Sequence, residues 1–415
     1  MSIQKNPLIG ISDDIKNLVS TYRMDMNAEL DNILDYWIKY APDDVHGGFA
    51  GKVDNNNQVI KESPKGVVLN CRILWTFSAA YRIKRTDNLR MIAARSFKYI
   101  LDYFSDLDFG GLYWLVDYQG KPIDSKKQIY AQAFGIYALS EYFRSTGEPS
   151  ARELAIDLFE LIETHSYDKE HYGYIDAFSR DWKEMDDLRL SEKDANEKKT
   201  MNTHLHVIEA YANLYCVWPD SLLKKRITEL LDIFYMKIIN ANSSHLRLFF
   251  DERWNSKTDL ISYGHDIEAA WLLLDTAQII KEKGIVEKYK KIAVSIAEVV
   301  LEQGVDKDGG IWYEYEPTNQ KLIKEKHWWP QAEAMLGFFN AWEISGDLRF
   351  LDASMKVWDF TKRYILDHKN GEWYWGVRDD YSVMAAEDKI GIWKCPYHNA
   401  RTCMELVKRI DCILK

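Results

Sequence analysis

The chain has 415 residues, 47% hydrophobic and 28% charged, a soluble globular composition long enough to bury a large core. Its 54 basic and 64 acidic residues leave a net charge of −10, where a nucleic-acid partner would call for a basic stripe or patch. No apolar run approaches the roughly 18 residues of a membrane span, so a membrane function is not expected either.

Taken in chain order, the opening segment MSIQKNPLIGISDDIKNL lacks the apolar core of a secretory leader. A helical pattern then runs from about Asp13 to Ile38. It is followed by the glycine-led segment HGGFAGKV from His46. Apolar residues next recur at helical spacing over Cys71–Ile83 and again over Asn88–Phe104. The same unit returns along the chain. FGGLYWLV from Phe109 precedes helical patterns at 131–147 and 150–165. YGYIDAF from Tyr172 precedes those at 203–218 and 221–238. HLRLFFDE from His245 is a weaker copy, ahead of 264–280 and 287–303. DGGIWYEY (Asp308–Tyr315) leads to 329–346 and 349–366, and NGEWYWGV from Asn370 leads to the last helix, about Tyr397 to Leu414. The period of roughly 60 to 70 residues is longer than that of common solenoids.

Within each unit the two helices are joined by short breakers such as STGEPS and ISGD, so they are antiparallel neighbours. The first and last helices each lack a partner and complete a sixth pair if the ends meet. The expectation is an all-α fold, an (α/α)6 barrel of twelve helices in two rings, forming one domain over residues 1–415. The glycine-led strands then cluster on one face, each linking an outer helix to the next inner one. Several follow an acidic turn signal: Asp106 and Asp108, Asp168, Asp306 and Asp367.

The first turns of the expected inner helices are rich in reactive side chains. They carry Asn70 and Arg72; Tyr130 and Gln132; Asn202, His204 and His206; His265, Asp266 and Glu268; His327 to Glu333; and Tyr397, His398, Asn399 and Arg401. Six such places form a convergent polar pocket. A single histidine at a helix start is usually a cap or a satisfied core residue; histidines at several starts argue for chemistry. His204 and His206 are two apart and diverge, so one of them faces the cavity. Trp328 and Trp329 are neighbours, and again one faces in. His265 and Glu268 share a face that could hold a metal, yet no HExxH or thiolate spacing accompanies them. The stretch EKDANEKK (192–199) is expected to be a solvated loop, with Asp194 set apart as a candidate contact. Five cysteines without a CxxC pair fit a reducing, cytoplasmic setting. Histidine, arginine and tryptophan together favour proton transfer on a sugar-like ligand: histidine as acid or base, arginine and asparagine for an oxyanion, tryptophan for stacking.

The segments GVVLNCRILWTFSAAYR, MNTHLHVIEAYANLY, SYGHDIEAAWLL, HWWPQAEA and WKCPYHNAR resemble the cellobiose 2-epimerases of the N-acylglucosamine 2-epimerase superfamily, from about Leu30 to the C-terminus. The resemblance implies an (α/α)6 barrel and C2 epimerisation of the reducing-end glucose of β-1,4-linked disaccharides (cellobiose, lactose or β-1,4-mannobiose), without nucleotide or metal; the oligomeric state is not fixed by the sequence, and a monomer is the expectation. It casts His265 and His398 as acid/base residues on opposite faces of C2 and His206 as the aid to ring opening. Arg72, with Asn202 and Tyr130, would hold O1 or O2. Glu268 would orient or tune His265. Trp328 or Trp329, together with Trp393, would stack the sugars, and Asp194 would reach the substrate from the 182–199 loop. Competing expectations are a monosaccharide epimerase or aldose–ketose isomerase of the same superfamily, a hydrolase using Glu268, Glu333 and Asp194, and a non-catalytic sugar-binding barrel.

Overall fold

The computed structural model describes residues 11–415; the first ten residues, most of the segment read above for a leader, lie outside it. Among the described residues there are twelve α-helices. They are α1 (Asp13–Tyr40), α2 (Val67–Lys84), α3 (Asp87–Tyr99), α4 (Ile129–Thr146), α5 (Pro149–His165), α6 (Met201–Tyr215), α7 (Ser221–Ile233), α8 (Tyr263–Ile280), α9 (Lys283–Gln303), α10 (Trp328–Ser345), α11 (Leu348–Phe360) and α12 (Tyr397–Leu414). The even-numbered helices pack in a closed ring, α2 on α4, α4 on α6, and so on until α12 returns to α2. The odd-numbered helices form the outer layer, and α1 pairs with α12, so the two ends of the chain close the (α/α)6 barrel.

Burial explains the two rings. The inner helices are buried on nearly every side; in α4 only Phe143, Arg144 and Thr146 escape. The outer helices bury one stripe, as in α5, where Ala151, Ala155, Leu158, Phe159 and Ile162 face inward. Local signals set their ends. Ser12, Asp220 and Asp347 cap α1, α7 and α11 through their side chains, and Gly147 and Gly346 end α4 and α10 in the left-handed region. Three outer helices widen into a π-helical turn, at Ile100–Phe104, Phe234–Ile238 and Thr361–Ile365.

Each glycine-led segment forms the same tight hairpin, closed by a bridge: Pro42 with Phe49, Ser105 with Leu112, Tyr167 with Tyr174, Ile239 with Leu246, Val305 with Ile311, and Leu366 with Trp373. Gly47 and Gly48 both take positive φ, and a Cβ on Gly48 would lie 2.6 Å from the Tyr99 ring, so glycine is required there. Elsewhere Tyr172, Ser244 and Glu372 accept the left-handed conformation without it. That is why the fourth copy was faint in sequence.

The acidic turn residues have partners that the sequence did not announce. Asp43, Asp106, Asp168, Asp306 and Asp367 each cap their own turn and bind a buried lysine: Lys65, Lys127, Lys199, Lys326 and Lys389, at 2.6–2.9 Å. Four of these lysines stand two residues before the next inner helix, so each pair clamps a hairpin to a helix start. Lys199 corrects the reading of 192–199 as solvated: its side chain is fully buried, donating to Asp168 and to the carbonyls of Tyr172 and Glu252. The fourth repeat has Asn240 and Ile261 at these positions, and a His245–Asp266 pair at 2.6 Å joins hairpin and helix instead.

Candidate active site

Counting from the first residue of each inner helix, and from Pro396 for α12, the fourth position faces a hairpin. Gln132 pairs with both backbone groups of Leu112, Gln331 with both of Ile311, Asp266 accepts from the Leu246 N–H, and His204 accepts from the Tyr174 N–H at 2.9 Å. His204 is thus a hairpin anchor. Burial pushes its imidazole down to about 3, so it stays neutral and keeps an acceptor nitrogen. The sixth positions are Arg72, Phe134, His206, Glu268, Glu333 and Arg401, and these converge inside the barrel. The Arg72 guanidinium lies 4.3 Å from the Phe134 ring centre, the Phe134 and His206 rings are 4.8 Å apart, and Arg401 donates to Glu268 at 2.8 Å and to Glu333 at 2.7 Å.

Three histidines meet around this layer, each with a different partner at Nδ1. His206 donates to Glu209 (2.9 Å), His398 donates to Glu333 (2.7 Å), and His265 lies 2.8 Å from the Ser262 hydroxyl. A carboxylate only accepts, so Nδ1 carries the proton in His206 and His398 and Nε2 is left as a base. The Ser262 hydroxyl can give or take, so His265 can hold either tautomer. Burial, reinforced by the nearby His206, lowers the His265 imidazole to about 3. Burial also lowers His398, with Arg72, Arg401 and the other two histidines adding to it. Each is therefore a neutral base in the free site.

The remaining candidates fall around the histidines. Arg72 donates to the Tyr130 hydroxyl at 2.7 Å, and Tyr130 packs edge-on against His206. Asn202 sits on the first turn of α6 with its Oδ1 buried and unpartnered. Trp329 is part-buried and packs on both His265 (4.7 Å) and His398 (5.7 Å), whereas Trp328 is a fully buried core residue beneath Lys394 and edge-on to His398. Trp393 lies against Trp114 and Tyr130. Asp194 is tied by Ser191 at the 182–199 loop, where burial raises its carboxyl; beside it Glu314 is raised to about 7, by burial and then by Asp194.

One expectation changes. Glu268 does not touch His265; its Oε1 accepts from Arg401 and lies 3.8 Å from His398 Nδ1. The three-residue spacing put Glu268 and His265 on one face, but the guanidinium across the barrel captured the carboxylate. Burial, then repulsion from Glu333, raises Glu268 to about 7. Among the described residues, Glu268, Glu333 and His398 are also the one group that could ligate a metal. Arg401 already donates to both carboxylates, so a fixed positive charge stands where a cation would bind.

Sequence reasoning missed Glu209, Ser262 and the centrality of Arg401. Ser262 has no signal beyond its place before α8, and Glu209 lies about one helical turn beyond the polar first turn of α6. A cavity of about 1690 Å3 opens at the opposite end of the barrel. It has no histidine in its walls, reaches Glu209 and Arg401 from below, and pairs Arg82 and Arg144 with Glu141 and Arg409 with Asp275 and Glu343. The three histidines lie at the hairpin end.

A model of the N-acylglucosamine 2-epimerase (GlcNAc 2-epimerase) family matches residues 47–401. The chain is 45% identical over 386 residues to a cellobiose 2-epimerase of Bacteroides fragilis, covering 93% of this chain and 98% of that one. The solved structure of the cellobiose 2-epimerase from Bacillus thermoamylovorans B4167 matches with a TM-score of 0.89 at 43% identity, over 94% of this chain and 100% of that chain. A GH76 α-mannanase of Bacteroides thetaiotaomicron, at 12% identity and a TM-score of 0.65, shares the fold alone. With its barrel and its histidine-lined hairpin end, the chain belongs to the N-acylglucosamine 2-epimerase family and is a carbohydrate epimerase.

Proposed function

We propose that this protein, a single barrel acting as a monomer, epimerises the reducing-end glucose of β-1,4-linked disaccharides at C2. Cellobiose would give glucosyl-mannose, and lactose would give epilactose. The similarity to the Bacteroides fragilis enzyme supports the substrate class. The observation that carries the mechanism is the pair His265 and His398, both packed on Trp329 and both without a hydrogen bond at Nε2 among the described residues.

In this reading, His206 moves the proton that opens and recloses the pyranose ring. One of His265 and His398 removes the C2 proton and becomes imidazolium, leaving a cis-enediolate. Arg72, with Tyr130 and Asn202, holds the charge that develops on O1 or O2. The C2–C3 unit presents its other face, and the second histidine, which takes up a solvent proton as substrate binds, returns a proton to C2, while the first later releases the C2 proton to solvent. One proton leaves and one arrives, and the two histidines exchange protonation states, which suits a reversible reaction. Glu333 stabilises the His398 imidazolium while it exists. Trp329 and Trp393 offer apolar faces to the sugar rings, and Asp194 and the 182–199 loop reach the non-reducing unit.

The test is proton NMR of cellobiose with the chelator-treated protein in heavy water. A mannose-type reducing end carrying deuterium at C2 is the expected product. Free glucose without C2 exchange would replace the proposal with hydrolysis, and a ketose product would replace it with isomerisation.

A further inference from the structure

We infer that Glu209 is a positioning residue that dedicates His206 to ring opening. The inference rests on the reading of His206 given above and adds a residue that neither the motifs nor the site's outer shell pointed to.

The argument begins with an exception in the repeat. At the ninth position of the inner helices, one turn below the polar layer, stand Trp75, Tyr137, Trp271, Leu336 and Met404; α6 alone carries a carboxylate, Glu209. An ionised side chain in a layer of aromatic and aliphatic residues is costly to desolvate unless it is fully paired. Glu209 is 6% exposed and fully engaged. Its Oε2 accepts from His206 Nδ1 at 2.9 Å, and its Oε1 accepts from the Tyr397 hydroxyl at 2.5 Å and from Arg401. Burial disfavours its charge, yet Arg401 and His206 hold the carboxyl down at about 2. It is a permanent acceptor.

Two consequences follow for His206. Its Nδ1 must donate, so its Nε2 is an acceptor in the resting site and becomes a donor only as imidazolium, which Glu209 stabilises. Its ring is also clamped between Tyr130 and Phe134. His265 has no such backing, only Ser262. The three histidines are therefore not interchangeable. His206 is locked in one tautomer, as taking a proton from the O1 hydroxyl and delivering one to the ring oxygen requires, whereas His265 is free to change tautomer. Arg401 completes the device: it binds Glu209 with one nitrogen and Glu268 and Glu333 with the other. The carboxylates behind His206 and His398 thereby share one guanidinium.

The test separates ring opening from carbon chemistry. Anomer equilibration of cellobiose needs only opening and closure, while deuterium incorporation at C2 needs the later step. Glu209→Gln keeps the shape and removes the charge. It is expected to lower catalysed anomer equilibration and kcat together by roughly 10²-fold. KM should stay within about twofold, and the isotope effect with C2-deuterated substrate should fall towards unity as opening becomes slowest. His398→Ala is the contrast: it should abolish the mannose-type product, with anomer equilibration falling far less than in Glu209→Gln. Anomer equilibration at the wild-type rate in Glu209→Gln would overturn the inference. So would a loss of kcat with an isotope effect above that of the wild type. If the wild-type protein shows no C2 exchange at all, the proposed function fails instead. Should Glu209→Gln not fold, 15N NMR of histidine-labelled wild-type protein decides: His206 protonated at Nδ1 throughout the active pH range supports the role, and a mixture of tautomers excludes it.

Discussion

Two sets of buried ion pairs in this barrel look alike and do opposite things. In the hairpins, five aspartates each meet a buried lysine, with Arg180 joining Asp106 and Asp308 joining Lys326, and each Asp caps its own turn while its Lys, in most cases, also donates to a backbone carbonyl. Charge and hydrogen bonds close locally, and the result is a rigid clamp. Beneath the histidines, three carboxylates, Glu209, Glu268 and Glu333, share the single guanidinium of Arg401. The surplus negative charge is resolved by histidine donors and by Glu268, whose carboxyl is raised to about 7 and so holds a proton part of the time. Balanced buried charge builds the scaffold; unbalanced buried charge makes protons available, which is what an acid–base site needs.

This contrast can be broken at several points. The largest effect is expected on the unbalanced side: His265→Ala and His398→Ala should each cost at least roughly 10²–10⁴ in epimerisation while the circular dichroism spectrum and melting curve stay close to wild type. Substantial conversion to the mannose-type product by either folded variant would remove that histidine from the chemistry. Next, Arg72→Lys should cost roughly 10²–10³ in kcat, because a point charge does not reproduce the fork that holds Tyr130 and the oxyanion. Steady-state kinetics on cellobiose checks this, and near-wild-type turnover would reject the role.

On the balanced side the readout is stability. Lys199→Met takes the buried donor away from the part-buried Asp168 and from the Tyr172 and Glu252 carbonyls and should destabilise the protein by about 1–3 kcal/mol, measured by denaturant unfolding. A loss below about 1 kcal/mol would show that the clamp is no stronger than a surface pair. The smallest effect sharpens the comparison within the scaffold, where the fourth repeat replaces lysine with His245. Burial lowers this imidazole, but Asp266 outweighs burial and the net shift is upward, so the folded state binds the proton more tightly. That stability is fully present below the unfolded histidine value of about 6.5 and is lost as pH rises through the raised folded value. His245→Gln should flatten this part of the stability-versus-pH curve, with Gln303 and Tyr263, the other neighbours of the ring, left in place. An unchanged curve would mean that His245 does not titrate there.

Much of this was legible in the chain itself. The six recurring hairpin segments, five of them glycine-led, the paired helical patterns and the two unpartnered terminal helices implied a closed ring, and α1 on α12 closes it. The polar first turns come together at the hairpin end of the barrel because the repeat places equivalent residues at equivalent heights. The weak fourth copy was weak for a physical reason: Ser244 takes the left-handed conformation in place of glycine, and His245 with Asp266 takes the place of the Asp–Lys clamp.

What the sequence determined by itself was therefore whatever repeats: helix number, order, pairing and the face that carries reactive side chains, because periodicity and turn chemistry are local and recur six times. What only the tertiary structure decided was which of two plausible neighbours does what. His204 anchors a hairpin and His206 enters the barrel; Trp328 is core and Trp329 faces the histidines; Lys199 is buried in a stretch that reads as solvated; Glu268 turns to Arg401 and away from His265. These outcomes depend on partners as far apart in sequence as Glu209 and Arg401, and one guanidinium reaching across a closed ring is visible only when the ring has closed.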